Sequence, residues 1–104
     1  MAYTSKKTFA NVSAGQTAYL IIEAIPDKAI RVVALVMVTG ATATSSTFNS
    51  SSTPITSVIA NGANGGAVLP YNFDGWFQTS PGQSLTVTTT SGTSTGYTIN
   101  YIEI

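Results

Sequence analysis

Short runs of alternating apolar and polar residues follow one another along the chain, and turn-forming residues separate them at intervals of roughly eight to twelve residues. This pattern is typical of a β-sandwich or barrel, and no interval has the length and periodicity of a helix. The first run covers residues 16–24, and Pro26 with Asp27 predicts a reversal of the chain directly after it. The remaining strands are predicted at 29–39, 43–49, 55–60, 67–69, 85–90 and 96–104. We therefore predict an all-β, antiparallel sandwich of about eight strands.

The predicted strand at 29–39 is apolar on both faces, whereas a strand in a two-layer sandwich needs only one apolar face. One face carries Ile30, Val32, Ala34, Val36 and Val38, and the other carries Val33, Leu35 and Met37. We expect the first set to build the subunit core. The second set is then a candidate subunit interface, because such a stripe is unusual on the surface of a monomer. An N-terminal arm, residues 1–7, is the competing cover within one chain, with residues 8–104 forming the single domain.

Four aromatic residues lie close together in the sequence: Tyr71, Phe73, Trp76 and Phe77. Exposed rings near polar side chains would form a sugar-stacking platform, because carbohydrate sites combine aromatic faces with hydrogen-bonding groups. Buried rings would instead fill the core, which we favour because aromatic residues dominate the cores of small domains. Alternation places Trp76 and Phe77 on opposite faces of a strand, so only one of them is expected to point inward.

The polar positions are mainly hydroxyl residues and carry few charges. The chain has 17 Thr and 12 Ser, and Thr favours extended backbone because its Cβ is branched. Four Lys/Arg balance four Asp/Glu, too few basic groups for the phosphate contacts that dominate nucleic-acid affinity. The longest apolar tract, residues 29–38, contains Arg31 and is too short to span a bilayer. We expect a soluble protein made in a cytoplasm, with no nucleic-acid and no membrane partner.

The sequence offers little catalytic chemistry. It lacks Cys and His, which excludes a disulfide, a thiolate or imidazole zinc site, a cysteine nucleophile and a histidine base. A Ser-Lys hydrolase based on Lys6, Lys7 or Lys28 is a remote alternative. The acids from which a glycosidase would need a facing pair stand far apart in the sequence: Glu23, Asp27, Asp74 and Glu103. We expect a protein that is not an enzyme, with no catalytic residues, no metal site and no cofactor.

Three motifs and the apolar strand occur together in an order that resembles a known family. They are Leu69-Pro70-Tyr71-Asn72, Gly75-Trp76-Phe77-Gln78-Thr79, Pro81-Gly82-Gln83-Ser84-Leu85 and the strand Ile30–Val38. With this order the chain resembles, over roughly residues 28–104, the small jelly-roll decoration (cement) proteins of tailed-phage heads. That family has no catalytic residues to transfer to this sequence.

The resemblance implies an eight-stranded antiparallel jelly-roll sandwich and a location on the outer surface of the virion head. It also implies two partners. One is the major capsid protein, whose neighbouring subunits such proteins clamp against internal pressure, and the other is the chain itself, commonly as a homotrimer. The alternative function is a carbohydrate-binding or receptor-binding jelly roll of a phage tail or fibre.

Overall fold

The computed structural model describes residues 4–90 and 92–104, and the structural statements below concern these residues. They form ten strands and no helix. No helix in these ranges is therefore long and apolar enough to cross a bilayer. The strands are β1 (Lys6–Val12), β2 (Tyr19–Ile22), β3 (Ile30–Thr39), β4 (Thr44–Ser50), β5 (Thr53–Pro54), β6 (Ile59–Asn61), β7 (Gly66–Leu69), β8 (Phe77–Gln78), β9 (Leu85–Thr89) and β10 (Thr95–Glu103).

The strands form two antiparallel sheets that pack face to face. The first sheet has the order β1-β10-β3-β7, with β8 also on β3, and the second has the order β2-β9-β4-β5, with β6 also on β4. Since β7 and β8 share one edge of β3, and β5 and β6 share one edge of β4, each pair is one interrupted strand. The eight resulting strands have the orders 1-8-3-6 and 2-7-4-5, which define a jelly roll. The predicted all-β, eight-stranded jelly-roll sandwich is thus confirmed.

The N-terminal segment differs from the prediction. Lys6 and Lys7, expected in an arm, begin β1, where they pair with Tyr101 and Asn100 of β10. Residues 1–3 of that predicted arm lie outside the described residues. The hydrophobic pattern does not predict β1, because most of its inward positions carry small side chains and its outward positions are mixed in polarity. The strand forms through its pairing with β10 rather than through a strong local signal.

A β-bulge interrupts the long strand β3. Asn100 of β10 lies opposite Ala34, and the next residue, Tyr101, lies opposite Val32. Val33 is therefore an extra residue on β3 without a partner on β10. Because side chains alternate with a period of two, one extra residue moves all the following side chains to the other face of the sheet.

The bulge reverses the faces predicted for the second half of β3. Val33, Leu35 and Met37 are almost completely buried within the chain. Val36 and Val38, expected in the core, are instead 44% and 56% exposed. The prediction that Val33, Leu35 and Met37 form a subunit interface is therefore wrong. β3 does carry apolar side chains beyond those in the core, but because of the bulge they are Val36 and Val38.

Three aromatic rings hold the two sheets together. Phe48 of β4 stacks on Phe77 of β8, with the ring centroids 4.8 Å apart, and meets the edge of Tyr97 of β10 at 5.6 Å. The buried hydroxyl of Tyr97 is hydrogen-bonded to that of Ser46 on the opposite sheet. Phe77 thus points inward while Trp76 remains 43% exposed, as the alternation predicts.

The inward and outward aromatic residues should differ in their effect on stability. We expect Phe77→Ala to lower the free energy of unfolding by about 3 kcal/mol, near the lower end of the cost of emptying an aromatic core site. Trp76→Ala should cost less than about 1 kcal/mol, because its ring is at the surface. Urea unfolding followed by far-UV circular dichroism measures both changes. Equal costs would contradict this assignment of the two faces.

Burial raises the pKa of Tyr97, since the charged phenolate is disfavoured inside the sandwich. Above a pH of about 10 the unfolded chain loses this proton while the folded chain keeps it, so stability falls as the pH rises. Tyr97→Phe should reduce this fall, measured as the difference in unfolding free energy between neutral and strongly alkaline buffer. Tyr71→Phe, at an exposed tyrosine, is the control and should leave the fall in place.

Candidate functional site

The aromatic loop, residues 70–76, connects β7 to β8 and is fixed to β3 at the bulge. The backbone N–H of Asn72 donates to the carbonyl of Val33, and that of Trp76 donates to the carbonyl of Val32, both at 2.8 Å. Because β7 pairs with β3 on one side of the bulge and β8 on the other, the loop leaves the sheet where the ladder is interrupted. The bulge therefore determines where the aromatic loop projects.

Three large aromatic side chains of the loop are exposed to solvent: Tyr71, Phe73 and Trp76. The indole Nε1–H of Trp76 donates to the carbonyl of Pro70 at 2.8 Å, which fixes the edge of the ring and leaves part of its surface open. Several exposed aromatic rings on one short loop are uncommon in a soluble monomer and typically mark a binding surface. These three rings are thus at the surface, whereas Phe77 packs against the core.

Arg31 supports the loop from β3. Its Cζ lies 5.7 Å from the centroid of the Phe73 ring, and its Nη1 donates to the Phe73 carbonyl at 3.1 Å. Its Nε donates to Oε1 of Gln78 at 3.0 Å. Gly75, at φ +82°, lies against the Arg31 side chain, and a Cβ at this position would overlap Cγ of Arg31. The loop therefore presents a positive charge that is held beside its aromatic rings.

Glu103 and Asp74 each take part in a hydrogen bond within the chain. Glu103 accepts a hydrogen bond from Nζ of Lys6 at 2.8 Å, and this bond raises the pKa of Lys6. The backbone N–H of Asp74 donates to Oδ1 of Asn72 at 3.0 Å, which shapes the loop, while the Asp74 side chain remains exposed. Among residues 4–90 and 92–104, no three His, Cys, Asp or Glu side chains lie close enough to hold a metal ion.

A second candidate surface is the outer face of the first sheet. Cross-strand pairing places Phe9, Thr98, Val36 and Val68 side by side across β1, β10, β3 and β7. All four side chains are exposed, and Phe9 is 82% exposed. We call the exposed apolar residues of this sheet, Phe9, Val36, Val38 and Val68, the outer apolar face. Beside Phe9, above Gly96, lies a hollow of about 310 Å³ that Val36 and Val38 also line.

The outer face of the second sheet has the opposite character. On β4 and β9 it carries hydroxyl and amide side chains, and Nδ2 of Asn49 donates to the hydroxyls of Thr86 at 3.2 Å and Thr88 at 3.1 Å. Leu20 of β2, which pairs with Thr86, is an exposed apolar residue on this face. Such cross-strand bonds satisfy the polar groups without charges. The sandwich therefore has one apolar and one hydroxyl-rich outer face.

Sequence reasoning missed two residues of these surfaces. Phe9 lies on the same face of β1 as Lys7 and Asn11. Because these two neighbours are polar, the sequence pattern does not indicate an apolar residue on that face. Arg31 interrupts the apolar run of β3, and this interruption is the signal that could have identified it as a surface residue. The structure brings Arg31 to the aromatic loop and Phe9 to the exposed half of β3.

No family model and no curated protein matches the sequence. Among solved structures, the chain is similar to a chain of the cryo-EM structure of the extra small virus (XSV) VLP of the giant freshwater prawn Macrobrachium rosenbergii. The likeness covers 99% of this chain and 80% of that chain, at 12% sequence identity and a TM-score of 0.42. The jelly-roll assignment rests on the strand order described above.

The fit of Gly75 against Arg31 is testable with the single Trp of the chain. We expect Gly75→Ala to change the emission maximum of Trp76, because the new Cβ displaces Arg31 and strains a left-handed backbone. Gly82→Ala is the matched control, since Gly82 has a similar φ of +76° but open space around a Cβ. It should leave the Trp76 emission unchanged. An equal emission change in both variants would show that Arg31 does not position the loop.

Proposed function

We propose that the protein is a phage capsid decoration protein that binds the major capsid protein on the outside of the head through its aromatic loop. The observation that carries this proposal is the exposure of Tyr71, Phe73 and Trp76 on one hydrogen-bonded loop beside Arg31. Binding is the whole of the proposed activity. With no His and no Cys in the sequence, we expect neither catalysis nor a cofactor.

The residue types of the loop support a protein partner. Trp, Tyr and Arg are the residues that most often supply the binding energy of protein interfaces, and aromatic residues are enriched at interface cores. The loop is also preorganised by its bonds to β3 and to Pro70. Preorganisation lowers the entropy that is lost on binding, so these rings are suited to tight attachment.

The motif resemblance supports the same location. Two of the motifs shared with decoration proteins, Leu69-Pro70-Tyr71-Asn72 and Gly75-Trp76-Phe77-Gln78-Thr79, contain most of the aromatic loop. The hydroxyl-rich outer face of the second sheet suits the solvent side of a protein on a virion surface. Self-association belongs to the proposal as well, and its homotrimeric form is implied by the resemblance alone.

A carbohydrate-binding module of a phage tail or fibre is the second candidate function. It is favoured by the fixed, partly open ring of Trp76 and by the polar side chains of Asn72 and Asp74 on the same loop. Sugar rings stack on such aromatic faces while amide and carboxylate groups bind their hydroxyls. Both candidates use the aromatic loop, and they differ in the ligand.

Binding to undecorated heads of the parent phage tests the proposal. We expect Trp76→Ala and Tyr71→Ala each to weaken attachment by about thirtyfold, which corresponds to an interface hot spot of ~2 kcal/mol. Val58→Ala removes an exposed apolar side chain outside the loop and is the control, with unchanged attachment. Co-sedimentation with the heads measures all three.

A parallel titration with immobilised glycans separates the two candidates. Glycan binding that is lost in Trp76→Ala, together with no binding to heads, would replace the decoration function by the carbohydrate-binding one. Head binding that survives both loop variants would contradict the assignment of the aromatic loop as the attachment site.

A further inference from the structure

We propose that the outer apolar face is an interface between two copies of this chain, related by a two-fold axis that lies between their first sheets. This inference goes beyond the proposed function, because it concerns contacts between copies and needs no capsid. Its starting point is the pairing of a protruding ring, Phe9, with an open hollow above Gly96 on the same face.

The hollow has room for the side chain of a second Phe9. Its volume is about 310 Å³, and its walls are Phe9, Val36 and Val38, with no side chain on Gly96 to fill it. A cavity of about 150 Å³ in a protein core already accepts benzene. A phenyl ring of the second copy in the hollow would contact Phe9, Val36 and Val38 of the first copy. The contact would bury aromatic and aliphatic surface from solvent.

The arrangement of the strands fixes where the axis lies. Phe9 pairs with Thr98, and Asn11 pairs with Gly96, so these four residues form the corners of a rectangle on β1 and β10. Phe9 and Gly96 occupy opposite corners. A two-fold axis in the plane between the sheets that exchanges the ring and the hollow must cross the Phe9–Gly96 diagonal at its midpoint and at a right angle, so it runs near the other diagonal. Thr98 and Asn11 therefore lie close to the axis and face their own copies.

Residues on a two-fold axis must be compatible with themselves. The hydroxyl of Thr98 and the amide of Asn11 each contain both a donor and an acceptor, so each can bond to its symmetry mate. A charged side chain in these places would meet a like charge. The nearest charge on this face is Lys7, one row beyond Phe9. The two exposed rows that contain Phe9 and Gly96 carry only uncharged residues: Phe9, Asn11, Val36, Val38, Gly66, Val68, Gly96 and Thr98.

The size of the face is adequate for a specific dimer. Phe9 is 82% exposed and Val36, Val38 and Val68 are 44%, 56% and 67% exposed, so that with the neighbouring uncharged side chains the face presents roughly 600 Å² of accessible surface. Two such faces bury roughly 1,200 Å², at the lower limit of stable specific interfaces. The two-fold arrangement is favoured over a ring of three because Phe9 and the hollow lie side by side on one face, as an isologous contact requires.

Gly96→Val is the decisive variant. A Cβ at Gly96 meets no atom within 4 Å, and the backbone there is not left-handed, so the substitution fills the hollow without disturbing the subunit. We expect the wild-type protein to sediment as a dimer at micromolar concentration, and Gly96→Val to raise the dissociation constant by about thirtyfold or more. Phe9→Ser should have a similar effect from the other side of the contact.

Two further measurements separate this interface from a general loss of stability. Val58→Ser, which removes an exposed apolar group outside the face, should leave the dimer intact. Thr98→Cys introduces the only thiol of the chain at the axis and should be joined to its copy by a short bis-maleimide, whereas Thr47→Cys on the hydroxyl-rich face should not.

A monomeric or trimeric wild-type protein would overturn the proposal, as would a Gly96→Val variant that folds and retains the dimer. None of these outcomes depends on the capsid assay. A protein that fails to bind heads but dimerises through Phe9 and Gly96 refutes the proposed function alone.

Discussion

The β-bulge at Val33 is the feature on which both candidate surfaces depend. Before the bulge, β3 turns Val32 towards the core, and after it Leu35 and Met37 take that place. A regular strand would have to expose one of these two groups, because side chains alternate strictly. The bulge lets one strand supply the core along its whole length. At the bulge, the carbonyls of Val32 and Val33 accept the hydrogen bonds that hold the aromatic loop.

The sandwich remains polar with few charges because its hydroxyl groups bond across strands. Asn49 bridges two threonines on the outer face of the second sheet, and the Tyr97 hydroxyl reaches Ser46 inside. Such bonds satisfy the polar groups of a protein that carries few charged side chains. Most of the exposed large apolar side chains lie on the first sheet and the loop, and the exceptions are Tyr19, Leu20 and Val58. The contrast between the two outer faces is what makes the first sheet a candidate for contacts.

Local signals predicted most of the strands, and long-range pairing decided the rest. The predicted limits of β3, β4, β9 and β10 agree with the structure to within a residue or two, since alternation and turns are encoded nearby, as at Pro81 and Gly82, whose φ is +76°. The strand β1 and the bulge depend on β10, which lies far away in the sequence. The face of Leu35 could not be predicted from its neighbours alone, because one unpaired residue reverses it.

The two candidate surfaces lie on opposite sides of the bulge along β3, the loop at Val32 and Val33 and the outer apolar face at Val36 and Val38. They share no side chain. A contact between copies at the outer apolar face therefore leaves the aromatic loops of both copies open. A pair then carries two loops, and once one is bound, the second binds at the effective concentration that the rigid pair imposes. A modest dimer interface can in this way strengthen attachment to a repetitive surface without any new contact to it.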